Sequence, residues 1–305
     1  MANSAHTKKY STIKKIFMAC ALITMSLSAF IPDGFCGQDS EDTDRLIQVD
    51  DIRMGYRIYG NGYPVIMIMG YGSTMKLWDP ALIRALSSNY KLIIFDNRGM
   101  GNTEAGLRPF SIEQFADDTA GLMGALNIRQ AHVLGWSMGG IIAEEVALRH
   151  PDKVNKLILY AAHCNANLFP PASEVIQRLT DLSGTPQEQG MRFISTLFPP
   201  DWLRNNQERI KEIFYRPLGS IPPETMNKQS MAISKWRGCC DRLGKINNSA
   251  LIITGADDVL VPPQNAHYLA EKIPHARLVS FENGGHGLMF QYPEKFSWTV
   301  IDFLR

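Results

Sequence analysis

The chain has 305 residues, 45% of them hydrophobic and 20% charged, with a formal net charge of +1. That balance supports a sizeable core in one large domain or two small ones, and it excludes collagen-like, coiled-coil and low-complexity classes. It also lacks the clustered excess of Lys and Arg that phosphate neutralisation requires, so no nucleic-acid partner is expected.

The first segment stands apart. Lys8, Lys9, Lys14 and Lys15 precede an uncharged apolar run from Ile16 to Ile31, which Pro32, Asp33 and Gly34 break. A basic start, a short apolar stretch and a polar continuation predict a signal peptide over residues 1–36, cut after Ala29 or after Cys36, and an exported protein, periplasmic or secreted. The competing reading is an uncleaved membrane anchor, for which the run is short. Either way the N-terminus is the one membrane contact expected. Removing residues 1–36 takes away four Lys and one Asp and turns the net charge from +1 to −2, so the basic character belongs to the leader.

From Arg45 the pattern alternates strand and helix. Arg45–Val49 and Ile52–Tyr59 read as β-segments joined by Asp50-Asp51. Pro64–Met69 and Lys91–Phe95 are apolar throughout, as strands buried on both faces of a parallel sheet are. Residues 111–126 read as a helix capped by Ser111, with Ile112, Phe115, Ala116, Thr119, Leu122 and Met123 on one face. Ala131–Gly135, Met138–His150 and Val154–Tyr160 give strand, helix, strand. Ser249–Thr254, Pro263–Lys272 and Arg277–Phe281 repeat that order, and a helix over Glu294–Leu304 ends the pattern. The expected class is α/β, a mostly parallel sheet with helices on both faces.

Between residues 163 and 240 no β-rich run appears. Helical stretches at Ala172–Leu182, Gln187–Thr196, Trp202–Phe214 and Pro223–Lys235 are separated by Pro170-Pro171, Pro199-Pro200 and Pro222-Pro223. An insertion there lies over the carboxyl ends of the strands, where ligands bind in such folds. The predicted organisation is therefore a core of residues 45–162 and 241–305 with a helical cap, or lid, over 163–240. Cysteine usage leaves two readings for Cys164, Cys239 and Cys240: a disulfide from Cys164 to one of the adjacent pair, or reduced thiols.

The sharpest motif is Gly135-Trp136-Ser137-Met138-Gly139-Gly140, which fits G-x-S-x-G between a predicted strand and a predicted helix. The bare pattern arises by chance on the order of once in ten chains of this length; the flanking elements make it specific. A sharp turn there projects the Ser137 hydroxyl above the sheet, as a nucleophile that needs a base and a third group to orient it. The base is expected late in the chain, at His286 in Gly284-Gly285-His286-Gly287, with His163 as its rival. His6, His132, His150, His267 and His275 read as structural or, for His6, as part of the leader. A carboxylate is expected at a strand's carboxyl end, from Asp257 or Asp258; Asp96 is the rival, although its loop with Arg98 reads as a structural ion pair or Asx turn. The oxyanion donors expected are the main-chain N–H groups of Met138 and Tyr71. Trp136, Phe198 and Trp202 are the candidate substrate-binding residues. This chemistry needs no metal or organic cofactor, and no Cys/His spacing resembles a zinc site.

The blocks Met69-Gly70-Tyr71-Gly72, Phe95-Asp96-Asn97-Arg98-Gly99-Met100-Gly101, Gly135 to Gly140, Gly255 to Pro262 and Gly285-His286 resemble the α/β-hydrolase superfamily, in its group of cap-bearing esterases, enol-lactone hydrolases, C–C bond hydrolases and haloperoxidase-like enzymes. The resemblance runs from about Val65 onward, apart from the cap. It implies an α/β-hydrolase fold and assigns the acid to Asp258, three residues after Gly255 in a G-x-x-D-x-x-x-P block. Met69 stands where the family's oxyanion loop usually has His. Ser at 137 disfavours the relatives with an Asp nucleophile. The expected activity is acyl transfer from a small or medium hydrophobic ester, thioester or lactone. The alternatives are C–C bond hydrolysis or perhydrolysis with the same triad, and a non-catalytic binding protein on the same scaffold. No oligomeric state is readable.

Overall fold

In the computed structural model, which describes residues 43–305 apart from residue 182, the apolar runs become the centre of an eight-stranded sheet. The predicted signal peptide lies outside the described residues. Strands β1 (Arg45–Val49) and β2 (Ile52–Tyr59) form an antiparallel hairpin. The strands β3 (Tyr63–Ile68), β4 (Tyr90–Phe95), β5 (Ala131–Trp136), β6 (Val154–Tyr160), β7 (Ser249–Gly255) and β8 (Ala276–Phe281) run parallel to one another. The order across the sheet is β1-β2-β4-β3-β5-β6-β7-β8, and β2 meets β4 antiparallel.

The absence of polar alternation in the central strands has a direct cause. Successive side chains point to opposite faces, and both faces are covered. Ile66, Ile93, Val133, Leu157 and Ile252 enter one core with helices α2 (Ile112–Ala125), α3 (Met138–Arg149) and α9 (Gln264–Lys272). Val65, Met67, Ile94, Leu134 and Ile253 enter the other with α1 (Pro80–Ser87) and α11 (Pro293–Leu304). Ser111 caps α2 by accepting from the Gln114 N–H at 3.0 Å, as its position suggested.

Helices α4 (Ser173–Thr180), α5 (Pro186–Leu197), α6 (Pro200–Asn205), α7 (Gln207–Phe214) and α8 (Pro223–Lys235) lie between β6 and β7. The stretch expected as one helix over Trp202–Phe214 is two, broken at Asn206, whose φ of −130° and ψ of 39° are not helical. At the base of this segment, Cys164 and Cys240 form a disulfide with their Cα atoms 5.0 Å apart, which resolves the two readings of the cysteines. Cys239 is a buried free thiol. The short helix α10 (Leu288–Gln291) follows β8.

The loop after β4 is built differently from the Asp96–Arg98 ion pair considered above. Asp96 instead accepts the main-chain N–H of Met75 at 2.7 Å and of Asn102 at 3.0 Å. Arg98, fully buried, donates to Asp118 through Nε and Nη2 at 2.8 and 2.6 Å and to Asp51 through Nη1 and Nη2 at 3.0 and 2.8 Å. One guanidinium thus joins the β1–β2 turn, the β4 loop and α2. Its hydrogen bonds hold the Asp51 carboxyl below the ordinary carboxylate value, against the cost of burial.

A carboxylate so depressed stabilises the fold above its ordinary value of 3.8, and that stabilisation is lost as the pH falls. Arg98→Met strands the buried Asp118 and removes the partner of Asp51. Urea denaturation at pH 7 should show a loss of about 3–5 kcal/mol. The fall in stability on acidification below about pH 4 should be shallower than in the wild type.

Candidate active site

Strand β5 ends at Trp136, α3 begins at Met138, and Ser137 makes the turn between them at φ +56° and ψ −117°. A side chain is rarely held in this region, and the surroundings permit nothing else. A Cβ at position 135 would fall 2.1 Å from the Gly139 carbonyl oxygen, and one at 139 would fall 2.0 Å from the Ile68 carbonyl oxygen. Strand, helix and the end of β3 are in contact through their main chains, and glycine is the residue that lets them meet. A Cβ on Gly70 would lie 3.3 Å from the Ser137 Cβ, so the loop after β3 passes directly beside the serine. That loop is fixed from two sides: the Asn97 side-chain N–H donates to the Met69 carbonyl at 3.0 Å, and the Gly72 N–H donates to Gln229 Oε1 of α8 at 3.0 Å.

His286 and Asp258 are both buried, and His286 Nδ1 lies 2.8 Å from Asp258 Oδ2. The other carboxylate oxygen accepts the main-chain N–H groups of Leu260 at 2.9 Å and Val261 at 2.8 Å. With both oxygens accepting, the carboxylate leaves the Nδ1 proton on the imidazole and Nε2 as the basic atom. Asp257 is exposed, so the structure brings Asp258, not its neighbour, to the ring. Tyr160, which the sequence did not single out, and Trp136, a substrate-binding candidate, hold the His286 carbonyl: Tyr160 Oη donates to it at 2.5 Å and Trp136 Nε1 at 3.2 Å. Their rings stack, with centroids 5.8 Å apart and planes 10° from parallel. A tyrosine at the last position of an apolar strand carries no sequence signal beyond its hydroxyl, which needs a partner when buried. Beyond the histidine, the Gly285 N–H donates to Gln291 Oε1 at 2.7 Å and the Gly287 N–H to the Leu197 carbonyl of α5 at 2.9 Å.

Ser137 and His286 line one cavity of about 410 Å³, together with Trp136, Tyr71, Met138 and His163. The helices between β6 and β7 supply apolar walls, Ile176, Leu179, Phe193 and Phe214 among them. Phe198 and Trp202 do not reach the cavity, contrary to their candidacy as substrate-binding residues. They stack on each other at 4.7 Å, and Phe198 is pressed so closely on Gly287 that a Cβ there would lie 2.6 Å from its ring. Their bulk supports the His286 loop from behind. The other histidines are elsewhere: His132 is buried in β5, where burial lowers it to about 4, and His150 pairs with Asp117. His267 and His275 are exposed. Among the described residues no cluster of His, Cys, Asp and Glu suits a metal ion.

The far side of α3 carries two fully buried carboxyls. Glu145 accepts from Trp236 Nε1 at 2.9 Å and from the Arg242 guanidinium at 2.5 and 3.0 Å. Among the described residues Glu144 has only the Cys239 thiol, 3.0 Å from its Oε2, and burial pushes it up to about 8.

The family model described as the alpha/beta hydrolase fold matches residues 63–293. A protein of Caulobacter sp. named "Putative carbamate hydrolase RutD" is 31% identical over 248 residues, which cover 79% of this chain and 90% of that one. The protein of the same name from Azorhizobium caulinodans is 29% identical over 254 residues, covering 83% and 95%. Among solved structures, a hydrolase from Pseudomonas aeruginosa superimposes with a TM-score of 0.74 at 25% identity, over 86% of this chain and 98% of that one. The enol-lactonase from Burkholderia xenovorans, at 24% identity and a TM-score of 0.71 over 85% and 99%, shares the fold.

Glu144 gives a pH prediction. Its folded value lies above its ordinary 4.5, so the stability it contributes is full below that value and is lost as the pH rises through about 8. Glu144→Gln keeps an acceptor for the Cys239 thiol but does not titrate. Thermal melts of the variant should lose the decline between about pH 5 and 8 that the wild type shows; parallel curves would refute the assignment.

Proposed function

The chain belongs to the α/β hydrolase fold family, and on that premise we propose that it is an exported serine hydrolase acting on a small or medium hydrophobic ester, thioester or lactone. One observation carries the reading: Ser137, on a left-handed turn, and His286, hydrogen-bonded to the buried Asp258, open on the same largely apolar cavity.

His286 Nε2 takes the Ser137 proton as the hydroxyl oxygen attacks the substrate carbonyl, and Asp258 stabilises the imidazolium that forms. The developing oxyanion is held by the main-chain N–H groups of Met138 and Tyr71, on either side of the serine. Collapse of the tetrahedral intermediate passes the proton from His286 to the leaving group. Water, activated by the same imidazole, then releases the acid. The carbamate named in the RutD relatives is an acyl carbon of the same kind, so acyl transfer is compatible with that kinship. Residues 163–240 act as the cap: helices α4 to α8 keep water from the cavity and set the size of the acyl or alcohol group admitted. The Cys164–Cys240 disulfide supports export, since such bonds persist in oxidising compartments.

A fluorophosphonate probe should label the wild type and not Ser137→Ala; folded protein that stays unlabelled would sink the reading. Asp258→Asn should retain the fold and lower kcat on p-nitrophenyl esters by about 10⁴. For the compartment, protein recovered from the producing cell and denatured without reductant should alkylate at Cys239 and not at Cys164 or Cys240. Protein alkylated at all three and confined to the cytoplasm would overturn export.

A further inference from the structure

We propose that His163 determines substrate choice by accepting, at Nε2, a hydrogen bond from a hydroxyl or N–H group on an otherwise apolar, uncharged substrate seated at Ser137. This rests on the serine-hydrolase reading and goes beyond it by naming what the substrate must carry besides its acyl carbon.

His163 is placed with unusual rigidity. Strand β6 ends at Tyr160, and Ala161 then turns the chain at φ +50°, a conformation costly for a residue with a Cβ. The Ala161 N–H donates to the Ile253 carbonyl at 2.9 Å, which holds that turn against β7. On the other side Cys164 is fixed twice, by its disulfide to Cys240 and by its carbonyl, which accepts the Cys239 N–H at 2.9 Å. A strained turn and a covalent crosslink thus bracket one imidazole, and that imidazole lines the same cavity as Ser137 and His286. Strain maintained at one residue marks a position whose direction matters.

The ring is also unsatisfied. Nδ1 is buried with no hydrogen bond to another described residue. Burial, with a smaller push from the nearby His286, lowers the imidazole to about 4, against a hydrogen bond to its own main chain. At neutral pH the ring is therefore uncharged, and in the tautomer protonated at the enclosed Nδ1 it presents a lone pair at Nε2. Nε2 is not enclosed by protein, and the surface His163 contributes is cavity wall. Two other polar groups on the wall are engaged as donors: Asn265 Nδ2 to the Phe169 and Pro262 carbonyls, and the Ser73 hydroxyl to the Tyr71 carbonyl; Asn167 and Ser173 also line the cavity. An ammonium substituent would find no carboxylate partner on this wall, since the lining residues include no Asp or Glu. The match is a neutral donor.

The test compares p-nitrophenyl hexanoates bearing a hydroxyl at successive acyl carbons with analogues bearing a methoxy group at the same carbon. Methoxy is similar in polarity but cannot donate. For at least one position the wild type should prefer the hydroxyl by about three- to tenfold in kcat/KM, the effect of one neutral hydrogen bond. The preference should vanish in His163→Leu and survive in part in His163→Gln, whose carbonyl can accept. Fluorophosphonate labelling of Ser137 should persist in both. Equal rates for every pair in the wild type, or a preference unchanged in His163→Leu, would overturn the assignment while leaving the serine-hydrolase reading intact. A wild type that neither turns over esters nor takes the probe would remove that reading, and this one with it.

Discussion

The constraint on which the rest of the structure depends is the meeting of three main chains at Ser137. Strand β5, helix α3 and the end of β3 approach to distances that no Cβ at positions 135 or 139 could survive. The serine is left in a left-handed conformation it would not choose. Tertiary packing enforces this local cost: the flanking strand and helix are buried almost without interruption, so relaxing the turn would pull apart both. The result is a hydroxyl at a defined height above the sheet, beside the first turn of a helix, where partial positive charge collects.

The imidazole opposite is held from two directions. From the core, Tyr160 and Trp136 fix its main-chain carbonyl, and Asp258 fixes its ring. From the inserted helices, the Leu197 carbonyl receives the Gly287 N–H and Phe198 packs on the same glycine. The insertion is consequently more than a roof. It takes part in positioning His286, so a change in α5 that leaves the cavity wall untouched can still be felt at the histidine.

Much of this was legible in the residues. The unalternating strands announced a two-sided parallel sheet because burial on both faces removes the polar alternation that one wet face imposes. The G-x-S-x-G spacing marked the turn because only glycine tolerates those approaches. Other features were not legible for physical reasons. Asp257 and Asp258 are chemically identical neighbours, which the family resemblance alone told apart in favour of Asp258; what separates them physically is a loop curl in which one carboxylate collects the amides of Leu260 and Val261. Phe198 and Trp202 were apolar bulk with no indication of which way they faced; they face the loop behind the site. Helix α1 escaped notice although Asp79-Pro80 is a sound start signal, with the Asp79 carboxylate accepting from the Ala81 N–H at 2.7 Å. Eight residues are too few for the periodic pattern to stand out. The break at Asn206 follows no proline or glycine.

The Cys164–Cys240 bond has an architectural corollary. A segment whose two ends are stapled 5.0 Å apart is tied covalently to the sheet at one place, whatever its internal length. Lengthening such a closed ring costs little, because loop entropy grows only with the logarithm of chain length. The helices between these cysteines therefore constitute an interchangeable cassette. A differently shaped set, grafted between the same two cysteines and retaining acceptors where Leu197 and Gln229 supply them to Gly287 and Gly72, would reshape the chamber without reregistering a strand.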